Sequence, residues 1–318
     1  MHLMARTDHA AADRLASPAS GDGPTAVRAA AADRVASPAA GDGPTAVRAA
    51  AADRVASRAA IVDRLAAAGV PTPEVDARLL AAAAADGRVT DLESAVQRRC
   101  RREPLQHILG SVGFRYLELT VAPGVFIPRP ETEVLAGLAI DACPPGGLVV
   151  EPCTGTGAVA LAVASETDAQ VWASDLDPAA VALARSNATR LGLDVTITQA
   201  DLAAAVPSAA HGRVDVLVCN PPYLAAHELD GLEPEVRCGD PTAALVAGPT
   251  GHEASDRLLA LAGSALAPGG TLLLEVDTTR AAATAQRAQR LGLDEVAVHA
   301  DLTGADRIVT ARRRPTDA

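Results

Sequence analysis

The sequence predicts an α/β protein: a doubly wound, mostly parallel sheet of seven strands, preceded by a small helical domain and a linking β-hairpin. Three observations carry this. From Gly146 onward, short apolar runs of strand length alternate with helical segments. A glycine turn, Gly155-Thr156-Gly157, stands between the first of those strands and the helix after it. Upstream, residues 50–104 read as amphipathic helices instead.

Taken in order, the chain opens on a tandem duplication. "AADRLASPASGDGPTAVRA" begins at Ala11 and "AADRVASPAAGDGPTAVRA" at Ala31, with a partial third copy from Ala51, a period of 20 residues. So few copies cannot stack into a solenoid, and each full copy carries a Gly-Asp-Gly-Pro breaker. Residues 1–49 are therefore expected to form a flexible extension.

Residues 50–104 supply three helices. Two flank the turn Gly-Val-Pro-Thr-Pro, and in the third Val89, Leu92 and Val96 share one face. Residues 105–130 form the expected hairpin linker, with Gly110, Gly113 and Pro123-Gly124 as turns. It runs into "IPRPETE", where Pro130 can open a helix and Glu131 and Glu133 suit a first turn.

Residues 131–318 hold the sheet. The strand candidates are Leu148–Val150, Val171–Ala173, Val195–Thr198, Val214–Cys219, Thr271–Val276, Glu295–His299 and Arg307–Ala311. Helices follow the first two, and Glu253–Leu266 precedes the fifth.

Composition narrows the class. Apolar residues make up 49% of the chain but aromatics only 2%, so the core must be built from Leu, Val, Ile and Ala. The net charge of −11 opposes bulk binding to nucleic acid, where phosphate neutralisation supplies most of the affinity. Two arginine clusters are local exceptions, residues 98–102 and 312–314, and each also reads as a solvated face or tail. The five cysteines form no C-x-x-C pair, which argues against a disulfide framework or a zinc site and for a reducing, cytoplasmic setting. No apolar run approaches membrane-spanning length.

Three strand tips offer a nucleotide site. The Gly155 and Gly157 turn lets a ligand approach the backbone closely. Asp175 ends the second strand, 20 residues after Gly155, where a carboxylate can accept both ribose hydroxyls. Asp201 follows the third strand and could meet an adenine amine. A glycine turn of this kind fits a nicotinamide dinucleotide equally well, and each acid alone reads as a solvated carboxylate.

The fourth tip is chemically distinct: Asn220-Pro221-Pro222-Tyr223. Asn220 offers a neutral carbonyl acceptor, the prolines lack N–H groups, and Tyr223 adds a flat ring. Such a pocket suits a planar –NH2 group, with two acceptors holding its hydrogens and the ring covering its plane. An amide nitrogen is a poor nucleophile, and positioning is the main remedy, worth about 7–11 kcal/mol in well-aligned cases. A strand terminator with a core tyrosine is the bland alternative.

On "REPLQHILG", "FIPRPETEVL", "EPCTGTGAVALAVAS", "SDLDPAAVALARSNA", "VDVLVCNPPY" and "LAPGGTLLLE", the chain resembles the HemK/PrmC-type protein-(glutamine-N(5)) methyltransferases from about Ala59 to Arg313. The resemblance implies a Rossmann-like methyltransferase sheet and methylation of the Gly-Gly-Gln glutamine of peptide chain release factors. It implies S-adenosyl-L-methionine as cofactor, with Thr154, Gly155, Thr156 and Gly157 around its methionine end. Asp175 would hold the ribose, and Asp201 and Leu202 would flank the adenine. Asn220 and the Pro221 carbonyl would orient the amide, beside Pro222 and Tyr223, and the helical region would recognise the substrate.

The sequence departs from the family pattern at Glu151-Pro152, at Leu202 and in "RCGDPTAAL". The same chemistry would serve another protein, a small-molecule amine or adenine in nucleic acid as acceptor. A nicotinamide oxidoreductase and a non-catalytic binding protein are the remaining alternatives.

Overall fold

The computed structural model describes residues 57–315. The repeats of the expected extension, residues 1–49, lie outside the described residues, as does the first part of the helical region.

Helix α1 runs through residues 57–67. It is followed by α2 (Pro73–Ala85) and α3 (Leu92–Cys100), the latter capped by the Asp91 side chain accepting from the Ser94 N–H. Leu65, Leu80, Ala83 and Val96 pack into a small core of their own. Leu105–Leu109 then forms a short helix, α4, which corrects the expectation of a hairpin from residue 105. Leu105 and Ile108, three residues apart, bury one face in that helical core, and Gly110 at φ +75° ends the turn. The hairpin itself is β1 (Ser111–Phe114) and β2 (Leu117–Thr120), joined through Arg115 and Tyr116, so Gly113 is a strand residue opposite Glu118.

After α5 (Thr132–Ala142) the alternation begins: β3 (Leu148–Pro152), α6 (Ala158–Glu166), β4 (Gln170–Asp175), α7 (Pro178–Leu191), β5 (Val195–Gln199) and β6 (Val214–Cys219). Next come the short β7 (Leu224–Ala225), α8 (Pro234–Gly239), α9 (Thr242–Leu245) and β8 (Val246–Gly248). The chain closes through α10 (Glu253–Ala265), β9 (Leu266–Glu275), α11 (Ala281–Arg290), β10 (Asp294–Ala300) and β11 (Asp306–Arg312).

The seven-stranded sheet has the order β5-β4-β3-β6-β9-β11-β10. All neighbours from β5 to β9 are parallel, and β11 is antiparallel to both its neighbours. The strand period of two divides the core. Val216 and Val218 face one layer with α5, α6 and α7; Leu217 and Cys219 face the other with α10 and α11. This is the doubly wound sheet that the sequence predicts. No helix among the described residues is long and apolar enough to cross a membrane.

Neither arginine cluster is a free basic patch. Arg98 pairs with Glu103, Arg99 with Asp76 and Glu235, and Arg102 with Glu233 and Glu235. Arg312 and Arg314 pair with Glu295 and Asp294, and Arg313 donates to the Leu266 carbonyl.

Candidate functional site

The strand order reverses at β3, where β4 lies on one side and β6 on the other. Such a reversal opens a crevice beyond the carboxyl ends of the strands. A cavity of about 420 Å³ occupies it.

Its floor is the turn from β3 to α6. Cys153, Gly155 and Gly157 all take left-handed φ values, +57°, +56° and +88°. A β-carbon on Gly157 would stand 2.9 Å from Leu161 Cδ1 and 3.3 Å from Ala184 Cβ, so only glycine lets α6 seat against α7. Glu151 ties the turn from beneath. Its Oε2 accepts from the Thr154 hydroxyl at 2.5 Å and from the Ala160 N–H at 2.9 Å. Burial pushes this carboxyl up to about 8.

Asp175, at the end of β4, accepts the Gly155 N–H on Oδ2 at 2.9 Å and the Asp177 N–H on Oδ1 at 3.0 Å. Burial raises its pKa despite these bonds. Asp201, beyond β5, accepts from Arg257 of α10 at 2.6 Å, and that hydrogen bond holds its carboxyl below the usual range. Leu202 beside it is buried.

At the end of β6, Asn220 donates from Nδ2 to the Thr132 hydroxyl at 3.2 Å. Glu275, at the end of β9, faces the Thr132 side chain, which pulls its carboxyl pKa down. Tyr223 is half-buried, and its surroundings push the phenol up to about 12, burial first and the Glu275 charge second.

The cavity wall thus brings together Thr154, Gly155 and Thr156 with Asp175. Asp201, Leu202, Asn220 and Pro222 complete the set that the sequence singles out. Gly157, Pro221 and Tyr223 are not on the wall. Sequence reasoning gave no role to Phe126, Thr132 or Arg257, which are on it. The Phe126 ring lies 4.9 Å from the guanidinium carbon of Arg129, which pairs with buried Asp240. Asp240 also accepts the Ile127 N–H at 3.1 Å, so one carboxylate clamps the Ile-Pro-Arg-Pro segment over the cavity. The motif around Thr132 and the lone acid closing the apolar run "LLLE" were the available signals for Thr132 and Glu275.

Comparisons with known proteins bear on what this arrangement is. The sequence model of the methyltransferase small domain matches residues 132–232. A release factor glutamine methyltransferase of Mycolicibacterium smegmatis is 42% identical over 78% of this chain and 94% of its own length. One of Streptomyces coelicolor is 40% identical over 80% of this chain and 96% of its own. A solved structure, the release factor-specific protein-(glutamine-N5) methyltransferase of Alicyclobacillus acidocaldarius, aligns at 25% identity and a TM-score of 0.38, over 62% of this chain and 100% of that one. Identity at this level across nearly the whole length of such relatives leaves one assignment: the chain belongs to the release factor glutamine methyltransferase family.

Proposed function

We propose that the protein transfers a methyl group from S-adenosylmethionine to the side-chain amide nitrogen of the Gly-Gly-Gln glutamine in peptide chain release factors. The observation that carries this is Asn220. It stands on the cavity wall with its amide nitrogen committed to Thr132, which leaves its carbonyl as the acceptor for an incoming –NH2.

The cavity suits the cofactor. Its volume of about 420 Å³ falls within the range of small-molecule sites, roughly 300–1,000 Å³. The close turn at Gly155 offers the cavity a stretch of backbone without a β-carbon. Asp175 accepts one backbone N–H on each oxygen and keeps a further lone pair on each for ribose hydroxyls. Leu202, with Val246 and Ala247 across the cavity, offers apolar cover for a base. When bound, S-adenosylmethionine supplies an activated methyl on a sulfonium.

The chain's own work is positioning. Asn220 Oδ1 accepts from the substrate –NH2 and fixes the plane of the amide, so the nitrogen lone pair, perpendicular to that plane, is aimed at the methyl. The Phe126 and Pro128 segment, held by Asp240, screens the amide from water. The five cysteines stand free, in keeping with a reaction in the reducing cytoplasm.

The test incubates the protein with labelled S-adenosylmethionine and release factors of the same organism, and maps the label by mass spectrometry. Label is expected on the Gly-Gly-Gln glutamine. Asn220→Ala should cut kcat by about 100-fold or more while cofactor affinity stays within about threefold. Label on nucleic acid or a small amine would replace the acceptor proposed here.

A further inference from the structure

A side-chain amide has an acceptor end and a donor end of almost the same shape. Only the acceptor end of Asn220 can hold an –NH2 group, so something must decide which end faces the cavity. Steric fit cannot, because the two ends are nearly isosteric.

The deciding contacts come from two other elements. Thr132, in the first turn of α5, accepts from Asn220 Nδ2 at 3.2 Å and is 3% exposed. Glu275, the last residue of β9, is 1% exposed, and its carboxyl faces the Thr132 side chain. The sheet register explains the meeting: Cys219 pairs with Leu274, so Asn220 and Glu275 are the next step along adjacent strands. A hydroxyl has one proton. An ionised carboxylate can only accept, so a Thr132 proton turned toward Glu275 leaves the Thr132 oxygen to accept from Asn220. The donor end of the amide is thereby committed. Glu275 Oε2 has no hydrogen-bond partner, a buried acceptor that the fold alone gives no reason to keep.

We propose that Glu275, acting through Thr132, is the positioning residue that turns the acceptor end of Asn220 toward the cavity. This rests on the reading of Asn220 as the residue that holds the substrate amide.

The relay has a polarity that pH reverses. Glu275 is faced by Arg307 of β11, by Asp301 in the turn before it, by Glu131 ahead of α5 and by Tyr223 beyond β6. Burial pushes its carboxyl up, the Thr132 bond and Arg307 pull it back, and Glu131 and Asp301 add to the rise, leaving it at about 7. Once protonated, the acid donates to Thr132, the Thr132 hydrogen turns to Asn220, and the amide rotates to receive it. Nδ2 then faces the cavity, where it repels an –NH2 group. Activity should fall on the acid side of about pH 7.

The chain contains two asparagines, Asn187 and Asn220, so protein labelled with 15N-asparagine shows two side-chain amides by NMR. Asn220→Ala assigns them. In the wild type, the Asn220 pair should titrate near pH 7, and in Glu275→Gln it should not. Thr132→Val, which keeps the shape and removes the hydroxyl, should shift the pair and cut kcat by about 100-fold, with cofactor affinity unchanged. Thr132→Ser should restore kcat to within about threefold, because it restores the hydrogen bonds. Wild-type kcat in Thr132→Val, or an Asn220 signal whose titration survives Glu275→Gln, would overturn the relay. The NMR arm is independent of substrate. A titrating Asn220 amide in a protein that methylates nothing would support the relay and sink the proposed function instead.

Discussion

Glu151 closes β3 with a side chain that is 3% exposed and that takes both its hydrogen bonds on one oxygen, Oε2. That pattern suits a protonated acid, and burial accordingly raises its pKa from 4.5 to about 8. Between those values the folded protein holds a proton that the unfolded chain has lost, so this group's contribution to stability falls as pH rises through that window. Glutamine can accept both hydrogen bonds on Oε1 and carries no charge. Glu151→Gln should therefore lose less stability than the wild type between about pH 5 and about pH 9, a gap of about 5 °C or more in Tm by calorimetry. An unchanged pH dependence would mean that Glu151 is ionised in the fold. At this scale, residues at strand tips were legible when their chemistry was unusual for a loop. Gly155, Asp175 and Asn220, each singled out from the sequence, all stand on the cavity wall. Thr132 and Glu275 were given no role, because Glu275 meets the site only through Thr132 and no local spacing encodes a contact between residues 143 positions apart.

The elements show the same division. Alternating strands and helices from Leu148 onward were readable because both strand faces are buried, which leaves short continuous apolar runs between helical ones. Leu105–Leu109 misled because a single helical turn is too short to show a period, and the β-rich hairpin follows at once. The β3–α6 junction is where sequence and packing agree most closely. Gly157 combines a φ of +88° with Leu161 and Ala184 packed against the place of its missing β-carbon. Gly157→Ala must both strain the backbone and push α6 off α7. The expected cost is about 1–3 kcal/mol for the backbone, plus whatever the displaced helix loses. Cofactor affinity should fall with it, since the turn carries Thr154 to Thr156 on the cavity wall. Unfolding and cofactor titration on the same variant would check both, and a variant as stable as wild type would show that the turn relaxes.

Across the molecule, the arginines that looked like a surface patch connect the helical region to α8. Arg99 of α3 is 4% exposed and donates to Asp76 of α2 at 2.7 Å and to Glu235 of α8 at 2.8 Å. Arg102 adds two bonds to Glu235, each 2.6 Å. Burial would raise the Glu235 carboxyl, but the Arg102 and Arg99 guanidiniums outweigh it and hold the group at about 2. Its contribution is thus present above the ordinary carboxylate range and is lost only as pH falls toward 2. Directly after α8 comes Asp240, which clamps Arg129 and the Ile127 backbone over the cavity. Separate ion-pair groups therefore flank α8, one tying it to α2 and α3 and the other, just past its end, reaching Arg129. Arg99→Ala would leave Asp76 buried without its partner, a loss expected to cost about 3–5 kcal/mol. Glu233 pairs with the same cluster but has a side chain that is 70% exposed, and Glu233→Ala should cost no more than about 1 kcal/mol. Denaturant unfolding of the two variants separates a buried latch from a solvated one. Equal losses would show that the latch is no more than surface pairing. A large loss confined to Arg99→Ala would show that the buried Arg99 cluster, shared by α2, α3 and α8, contributes more than solvated pairing can.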